Sequence, residues 1–184
     1  MSRLLLISSI FFLCVNANAV SAENESAENE PEKAYTVGVS RYFSTLDADV
    51  SADFSGFSVS AAQNFTDNYS LRLTYFSLEN DDFVYIDSSG YEVVFHFGTG
   101  LRTRGFKAYI GPGYFKDKVS SGDFNGSASG LQVNGGLGYN WDKVALDFVL
   151  SYRDASDYQE AYSPSPNNIS VDAYSASVLL SYRF

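Results

Sequence analysis

The chain has 184 residues, of which 18% are charged and 16% are aromatic, and its formal net charge is −10. This length suits a single domain, and the acidic balance makes nucleic acid an unfavourable partner. The aromatic residues are almost all Tyr and Phe, which favour β-strands and, for Tyr, boundaries between water and an apolar phase.

The first 22 residues have the pattern of a secretory signal peptide. Arg3 supplies a positive end, residues 4–13 form an apolar run too short to cross a bilayer as a helix, and small residues follow. We expect Sec-type export with cleavage after Ala19 or Ala22, the second being preferred; a membrane anchor is the alternative. The one cysteine, Cys14, lies in this segment, so the mature chain would contain no disulfide.

Residues 23–33 form an acidic segment with no large apolar side chains to bury, so we expect a flexible tail there. From residue 34 to residue 184, apolar and polar residues alternate with a period of two, which is the period of a β-strand with one apolar face. Eight alternating stretches follow one another, at residues 35–43, 57–65, 69–75, 91–97, 106–114, 131–141, 144–152 and 174–184.

The connections between these stretches alternate in length. Short ones fall at residues 66–68, 101–105 and 142–143, and longer polar ones fall at residues 44–53, 78–89, 116–129 and 154–171. Short turns at one end of a sheet and long loops at the other are typical of outer-membrane barrels. We therefore predict an all-β fold, an eight-stranded antiparallel up-and-down transmembrane barrel, and we name its two ends the short-turn end and the long-loop end.

Alternation alone does not decide whether the apolar face meets lipid, because a lipocalin-like barrel or a β-sandwich also alternates. Two features favour lipid. The opposite face carries mainly Ser, Thr and Gly, which fit the narrow lumen of eight strands. The aromatic residues of the apolar face lie near the strand ends, as at the two interfaces of a bilayer. They are Tyr35, Phe65, Tyr69, Phe97, Phe106, Tyr139, Trp141, Tyr182 and Phe184 near the short turns, and Phe43, Phe57, Tyr75, Tyr91, Tyr114, Tyr152 and Tyr174 near the long loops.

The last stretch places Val178, Leu180, Tyr182 and Phe184 at alternate positions and closes on an aromatic residue. In this it resembles the outer-membrane β-barrel superfamily, and in size it is similar to the small OmpA/OmpX/Ail-type and porin-like barrels, with no motif that assigns a subfamily. The resemblance implies that these four residues are the signal read by the barrel-assembly machinery. It also implies a location in the bacterial outer membrane, in contact with membrane lipid and lipopolysaccharide.

Several ionisable residues share the phase of the small residues and should therefore face the lumen. Charges inside a narrow barrel must pair or remain hydrated, so we expect Arg72 to pair with Glu92, and Lys107 or Arg183 to pair with Asp147. We favour a plug that fills the lumen and sets the strand register; a polar gate or proton path is the alternative. The predicted lumen polar cluster comprises Arg72, Glu92, His96, Lys107, Asp147 and Arg183, with Gln132 beside it.

The sequence gives little support to an enzyme. His96 is the only histidine, whereas metal sites and Ser-His-Asp or Cys-His catalysis need further partners. We therefore expect no catalytic residue, no metal and no cofactor.

The predicted long loops are acidic. Their carboxylates suggest binding of divalent cations that bridge lipopolysaccharide phosphates, although simple solubility is the interpretation we favour. The function that fits best is a structural or surface-interaction protein with an unknown external ligand or host surface. A narrow porin-like channel for water, ions or very small solutes is the alternative. The loop carboxylates are Asp47, Asp49, Asp53, Glu79, Asp81, Asp82, Asp87, Asp123, Asp154, Asp157 and Glu160.

Overall fold

The computed structural model describes residues 33–47, 52–81, 86–121, 124–154 and 172–184. The predicted signal peptide and all of the predicted tail except Lys33 lie outside these residues. In the part of the chain that is described, no helix is long and apolar enough to cross a membrane. The strands are β1 (Tyr35–Asp47), β2 (Ala52–Asn64), β3 (Tyr69–Asn80), β4 (Ile86–Thr99), β5 (Gly105–Ser121), β6 (Phe124–Asn140), β7 (Val144–Arg153) and β8 (Asp172–Arg183).

The eight strands form a closed antiparallel barrel. Each strand pairs with its neighbour in the chain, and β1 also pairs with β8, from Thr36 opposite Arg183 to Asp47 opposite Asp172. Tyr35 and Phe184 complete this seam by exchanging two backbone hydrogen bonds of 2.9 Å. No sheet edge remains unpaired along this seam, and the predicted fold is confirmed.

The apolar side chains lie on the outside of the barrel. Leu131 is 70% exposed, Phe57 68% and Leu150 67%, whereas the inward Ser58 and Ser70 are almost fully buried. A water-soluble barrel would bury its valines and leucines inside. The arrangement found here is the one expected when hydrocarbon surrounds the barrel and small residues fill its centre.

The outward aromatic residues contact one another across neighbouring strands. This contact is most continuous at the short-turn end, and Tyr152 and Tyr174 form a further pair at the long-loop end. Such cross-strand aromatic pairs stabilise a sheet and also fix where its apolar belt ends. Ring centroids are 6.0 Å apart in Tyr35–Phe184, 5.7 Å in Tyr69–Phe97, 5.0 Å in Phe106–Tyr139 and 6.0 Å in Tyr152–Tyr174.

Three of the four predicted long connections are wrong, because the strands continue past the apolar belt. β1 and β2 are separated only by residues 48–51, β3 and β4 by 81–85, and β5 and β6 by 122–123. The pairing of β5 with β6 runs without a break to Ser121 opposite Phe124. Polar outward residues extend these strands because backbone pairing does not depend on an apolar outer face. Only the connection from β7 to β8 keeps its predicted length, and residues 155–171 lie outside the described ones.

Candidate functional site

The six residues of the predicted lumen polar cluster all lie on the inward phase of their strands. Five of them are buried, whereas Arg72 is half-buried. They do not form one cluster. Glu92 lies in a group near the long loops, Arg183 lies at the short-turn end, and the other four lie between these levels, as the contacts described next show.

Arg153, at the end of β7, is the centre of the group near the long loops. Its Nη2 donates to the hydroxyl of Tyr42 at 2.6 Å and lies 3.4 Å from Oε2 of Glu92. Its Nη1 lies 3.9 Å from Oδ2 of Asp117. Gln132 contributes twice, because its Oε1 accepts from Nε of Arg153 and its Nε2 donates to Glu92. One buried cation therefore lies among two carboxylates.

Aromatic rings surround the same guanidinium. Its central carbon lies 4.9 Å from the ring centroid of Phe115, 5.1 Å from that of Phe76 and 6.0 Å from that of Tyr42. The rings of Tyr42 and Phe76 are stacked 5.1 Å apart. Cation–π contacts are strongest where water is excluded, and Phe76 and Phe115 are fully buried. This group therefore fills the lumen with apolar as well as polar atoms.

An apolar cluster of inward side chains packs around this group. Its large apolar members were not among the small and ionisable residues that were expected on the inward face. Large apolar side chains are tolerated there because the extended strands rise beyond the belt, where they pack on each other inside the barrel. The buried members of the cluster are Tyr42, Leu46, Phe54, Phe76, Leu78, Phe115, Ala128 and Ala173.

The second group is centred on Asp147. It contains one carboxylate and two cations, Lys107 and Arg72, whereas the first contains one cation and two carboxylates. Nζ of Lys107 lies 2.8 Å from Oδ2 of Asp147, which agrees with one of the two pairings expected for this carboxylate. The hydroxyl of Tyr109 donates to Oδ1 of Asp147 at 3.0 Å, and Nη1 of Arg72 donates to that hydroxyl at 3.1 Å. Arg72 therefore contacts Tyr109, whereas its expected partner Glu92 is paired with Arg153.

His96 lies beside the Asp147 group. Its Nε2 is 2.9 Å from Oδ1 of Asn134, its Nδ1 is 3.4 Å from Oγ of Ser70, and its ring is 4.5 Å from that of Tyr109. Asn134 in turn donates to Oγ of Ser151 at 2.8 Å. The histidine is held by an amide, a hydroxyl and a ring, which is a packing role within a hydrogen-bonded network.

The turn between β4 and β5, residues 100–104, closes the short-turn end. Arg183 donates through Nη2 to the carbonyl of Arg102 at 2.6 Å and through Nη1 to the carbonyl of Trp141. Asn140 donates to the carbonyls of Gly100 and Thr103 at 2.7 and 2.9 Å. Arg183 thus binds backbone and leaves Asp147 to Lys107. Side chains from β6 and β8 fasten a turn that belongs to β4 and β5.

Asp67, in the turn between β2 and β3, holds the same turn from the other side. Its carboxylate accepts from the backbone N–H groups of Gly100, Arg102 and Thr103 and from the hydroxyl of Thr103, at 3.0–3.1 Å. Partial burial acts to raise the pKa of Asp67, but these four hydrogen bonds to the charged form outweigh it and hold the pKa below its ordinary value.

Leu101, at the tip of this turn, is 5% exposed and forms a buried cluster with Tyr109 and Val149. The turn therefore does more than connect two strands, since its leucine packs against inward side chains of β5 and β7. Gly100 has a φ of +73°, a left-handed conformation that favours glycine, and this allows the chain to turn sharply there.

Reasoning from the sequence missed several lumen residues, although the signal for them was present. Each keeps the even spacing from a residue that was assigned to the inward face: Tyr109 lies two positions after Lys107, Tyr42 two after Ser40, and Arg153 six after Asp147. Period-two alternation continued past the point where the predicted strands ended. Asp117 was left in a predicted loop, and Arg153 was left just beyond the end of a predicted strand, because the predicted strands ended with the apolar outer face.

The described residues contain no group of three or more His, Cys, Asp or Glu side chains that could hold a metal ion. Several of the loop carboxylates on which the cation hypothesis rests lie outside the described residues, and the hypothesis stays a prediction. These residues are Asp49, Asp82, Asp123, Asp157 and Glu160.

Several solved structures have folds similar to this one, and outer-membrane proteins are among them. Ail, the attachment invasion locus protein of Yersinia pestis, gives a TM-score of 0.55 at 19% identity over 83% of this chain and 99% of that chain. Neisserial surface protein A gives 0.62 at 17% identity over 82% and 97%. The outer membrane protein OprG from Pseudomonas aeruginosa gives 0.52 at 13% identity over 83% and 97%.

The fold is that of the small eight-stranded outer-membrane barrels. Ail has also been solved in complex with the heparin analogue sucrose octasulfate, and that structure matches with a TM-score of 0.51 at 17% identity over 83% of this chain and 99% of that chain. No family model matches the sequence, and no curated protein is significantly similar to it. At these identities the likeness concerns the fold.

Proposed function

We propose that this chain is a non-conducting outer-membrane barrel that anchors extended hairpins at the cell surface, where they take part in structural or adhesive contacts. The observation that carries the proposal is the filled lumen. The Arg153 group and its apolar cluster occupy the half near the long loops, and the turn at residues 100–104 lies across the other end. Eight strands leave an interior just wide enough for side chains, and here side chains occupy it at both levels.

The outer surface supports insertion into a membrane. Aliphatic side chains such as Val39, Leu73 and Leu180, each more than half exposed, lie between the two aromatic bands. Exposing this much apolar surface to water would be costly. We propose that residues 1–22 direct Sec-type export and are removed after Ala19 or Ala22, and that residues 34–184 form the barrel domain.

We further propose that the barrel-assembly machinery reads the outward face of β8. Val178, Leu180, Tyr182 and Phe184 are all exposed on one side of that strand.

Deleting Phe184 removes one aromatic residue and both hydrogen bonds to Tyr35. In cells, we expect the deletion to reduce the folded band that migrates differently on unboiled and boiled gels by at least several-fold. The substitution Phe184→Tyr, which keeps an aromatic end, should retain most of it; equal folding of the deletion would contradict the proposal.

The hairpins beyond the apolar belt present a mainly acidic outer surface. Glu79 and Asp87 face each other across β3 and β4, and Asp47 pairs in register with Asp172. Lys116 and Lys118 of β5 are the basic residues at this level in the described part of the chain. A strongly anionic polymer would be repelled by this surface, so we expect a partner that is basic or that offers hydrogen bonds.

The closed lumen can be tested by recording currents across planar bilayers that contain the purified full-length barrel. We expect no stepwise conductance above the bare membrane for the native protein or for Glu92→Gln, in which the carboxylate near Arg153 becomes an amide. Discrete steps in the native protein that change in Glu92→Gln would favour the narrow channel over the closed anchor.

The surface role can be tested by shortening the β5–β6 hairpin. Replacing residues 116–129 by an Asn-Gly turn removes the part above Tyr114 and leaves the belt intact. We expect the shortened barrel to fold and insert normally but to lose adhesion to host cells or resistance to serum. Unchanged adhesion and serum resistance in a correctly inserted variant would argue against a surface role for this hairpin.

A further inference from the structure

Arg41 is a cation on the outer, apolar face of the barrel. It lies on β1 between the exposed Val39 and Phe43, and it is opposite Phe57 on β2 and Val178 on β8. Charged side chains are costly on the lipid-facing side of a barrel, and the cost falls steeply near the interfaces. An arginine at this position therefore requires an explanation.

The side chain of Arg41 extends toward the long-loop end. Its guanidinium carbon lies 5.5 Å from the ring centroid of Phe43, one outward position higher on β1, and 5.1 Å from that of Phe57. Nη2 donates to Oγ of Ser55 at 2.9 Å, and Ser55 is paired with Phe43 in the ladder, so the guanidinium reaches the level of the aromatic band. The stem lies along the apolar belt while the charge reaches the interface, as in other snorkelling arginines.

The hydrogen-bonding capacity of this guanidinium is largely unused. An arginine has five N–H donors, and within the described residues Arg41 makes the single hydrogen bond to Ser55 and no ion pair with a carboxylate. Oγ of Ser55 donates to Oδ1 of Asp81 at 2.7 Å, which fixes the serine as an acceptor for the arginine. The guanidinium is therefore positioned by two rings and one hydroxyl, with donors left for a ligand.

We propose that Arg41, positioned by Phe43, Phe57 and Ser55, binds the phosphate of a membrane lipid headgroup at the long-loop interface. At this depth the groups that surround the barrel are lipid headgroups, and guanidinium matches phosphate with paired, charge-assisted hydrogen bonds. The inference rests on the proposed insertion of the barrel in a membrane. A phosphate diester of a glycerophospholipid and a phosphate monoester of lipid A share the required chemistry.

The proposal can be tested by native mass spectrometry of the full-length barrel in detergent, titrated separately with phosphatidylglycerol, lipid A and diacylglycerol, which has no phosphate. We expect the native barrel to retain one molecule of a phosphate-bearing lipid and no diacylglycerol. Losing charge-assisted hydrogen bonds to phosphate should weaken this binding about tenfold or more in Arg41→Gln. Arg41→Lys, which keeps the charge but not the paired geometry, should fall between them, and Lys143→Gln, at the short-turn end, should bind like the native protein.

The comparison of the two phosphate-bearing lipids identifies the source of the phosphate. Equal retention by the native protein and Arg41→Gln, or equal retention of diacylglycerol, would overturn the proposal. The gel shift between unboiled and boiled samples, measured on vesicle-inserted protein, separates this failure from that of the proposed function. Failure of the native barrel to insert would contradict the proposed membrane location. An inserted barrel that binds lipid independently of Arg41 would contradict the phosphate site alone.

Discussion

Near the long loops, the lumen places one cation, Arg153, among two carboxylates, whereas around Asp147 it places one carboxylate among two cations, Lys107 and Arg72. The two groups therefore carry opposite charge excess. The first is surrounded by aromatic rings and covered by an apolar cluster. The second contacts the hydroxyl of Tyr109 and lies beside the hydrogen-bonded network of Ser70, His96, Asn134 and Ser151. The comparison shows two ways in which the same eight strands accommodate buried charge.

The difference follows from where the strands end relative to the apolar belt in each half of the barrel. Near the long loops the strands rise beyond the belt, and large apolar residues pack inside the barrel there in addition to the backbone ladders. At the short-turn end the strands are tied by tight turns and by the closing turn at residues 100–104. Polar contacts are sufficient at that end because the strands there do not rise beyond the belt, and the side chains of Asn140 and Arg183 hold the closing turn.

Removing the cation of the first group should produce the largest effect. In Arg153→Met, Glu92 and Asp117 would remain buried without their central cation, and three rings would lose a partner. Breaking a buried pair in this way typically costs about 3–5 kcal/mol. We expect a loss of this size in denaturant unfolding from vesicles, followed by the fluorescence of Trp141, the only tryptophan.

The double variant Arg153→Met with Glu92→Gln provides the control for this prediction. It removes one of the stranded carboxylates, so part of the lost stability should return. A single variant as stable as the native barrel would mean that the guanidinium is hydrated and that the lumen is open at this level.

Removing the carboxylate of the second group should produce a smaller effect. Asp147→Asn keeps an oxygen that accepts from Tyr109, and because Arg72 is only half-buried, Lys107 is the one of the two cations left fully buried without a counter-charge. Charged hydrogen bonds of this kind contribute about 1.5–3 kcal/mol, and we expect a loss in that range by the same unfolding measurement. Adding Lys107→Met should restore some stability. A larger loss than in Arg153→Met would reverse the order of the two groups.

The architecture could be predicted from the sequence because a barrel is specified by local pattern. Alternation identified eight strands and the outward face, and each inward member of the predicted lumen polar cluster was found by phase alone. One pairing, Lys107 with Asp147, was also anticipated as one of two options. These residues lie level with each other on β5 and β7, on either side of Gly138 of the intervening β6, which has no side chain to separate them.

The remaining pairings could not be predicted, because they cross the lumen. Tyr42, Glu92 and Arg153 belong to β1, β4 and β7, and their contact depends on barrel shear and strand tilt rather than on spacing in the chain. The contacts that hold the turn at residues 100–104 could not be predicted either, because they come from residues distant in the chain. Nothing local to residues 100–104 shows that Asp67, Asn140 and Arg183 converge on its backbone.

The smallest predicted effect concerns Asp67, which lies in the turn between β2 and β3 and accepts hydrogen bonds from the turn at residues 100–104. In Asp67→Asn, the acceptor loses its charge, and we expect about 1 kcal/mol or less of global stability to be lost, because this carboxylate is only partly buried. The local effect should be clearer. Amide hydrogen exchange at Gly100, Arg102 and Thr103, measured by NMR, should accelerate several-fold, while exchange in the β2–β3 ladder stays unchanged.

The pH dependence of this effect has a defined sign. The hydrogen bonds to the charged form hold the pKa of Asp67 below its ordinary value of 3.8, so the carboxylate is more acidic in the folded than in the unfolded chain. Its contribution is fully present above the ordinary pKa and is lost as the pH falls through the lowered one. The exchange rates of the native barrel and of Asp67→Asn should therefore differ at neutral pH and converge in acid. A constant difference down to the lowest accessible pH would show that the asparagine variant perturbs the turn by its shape rather than by its charge.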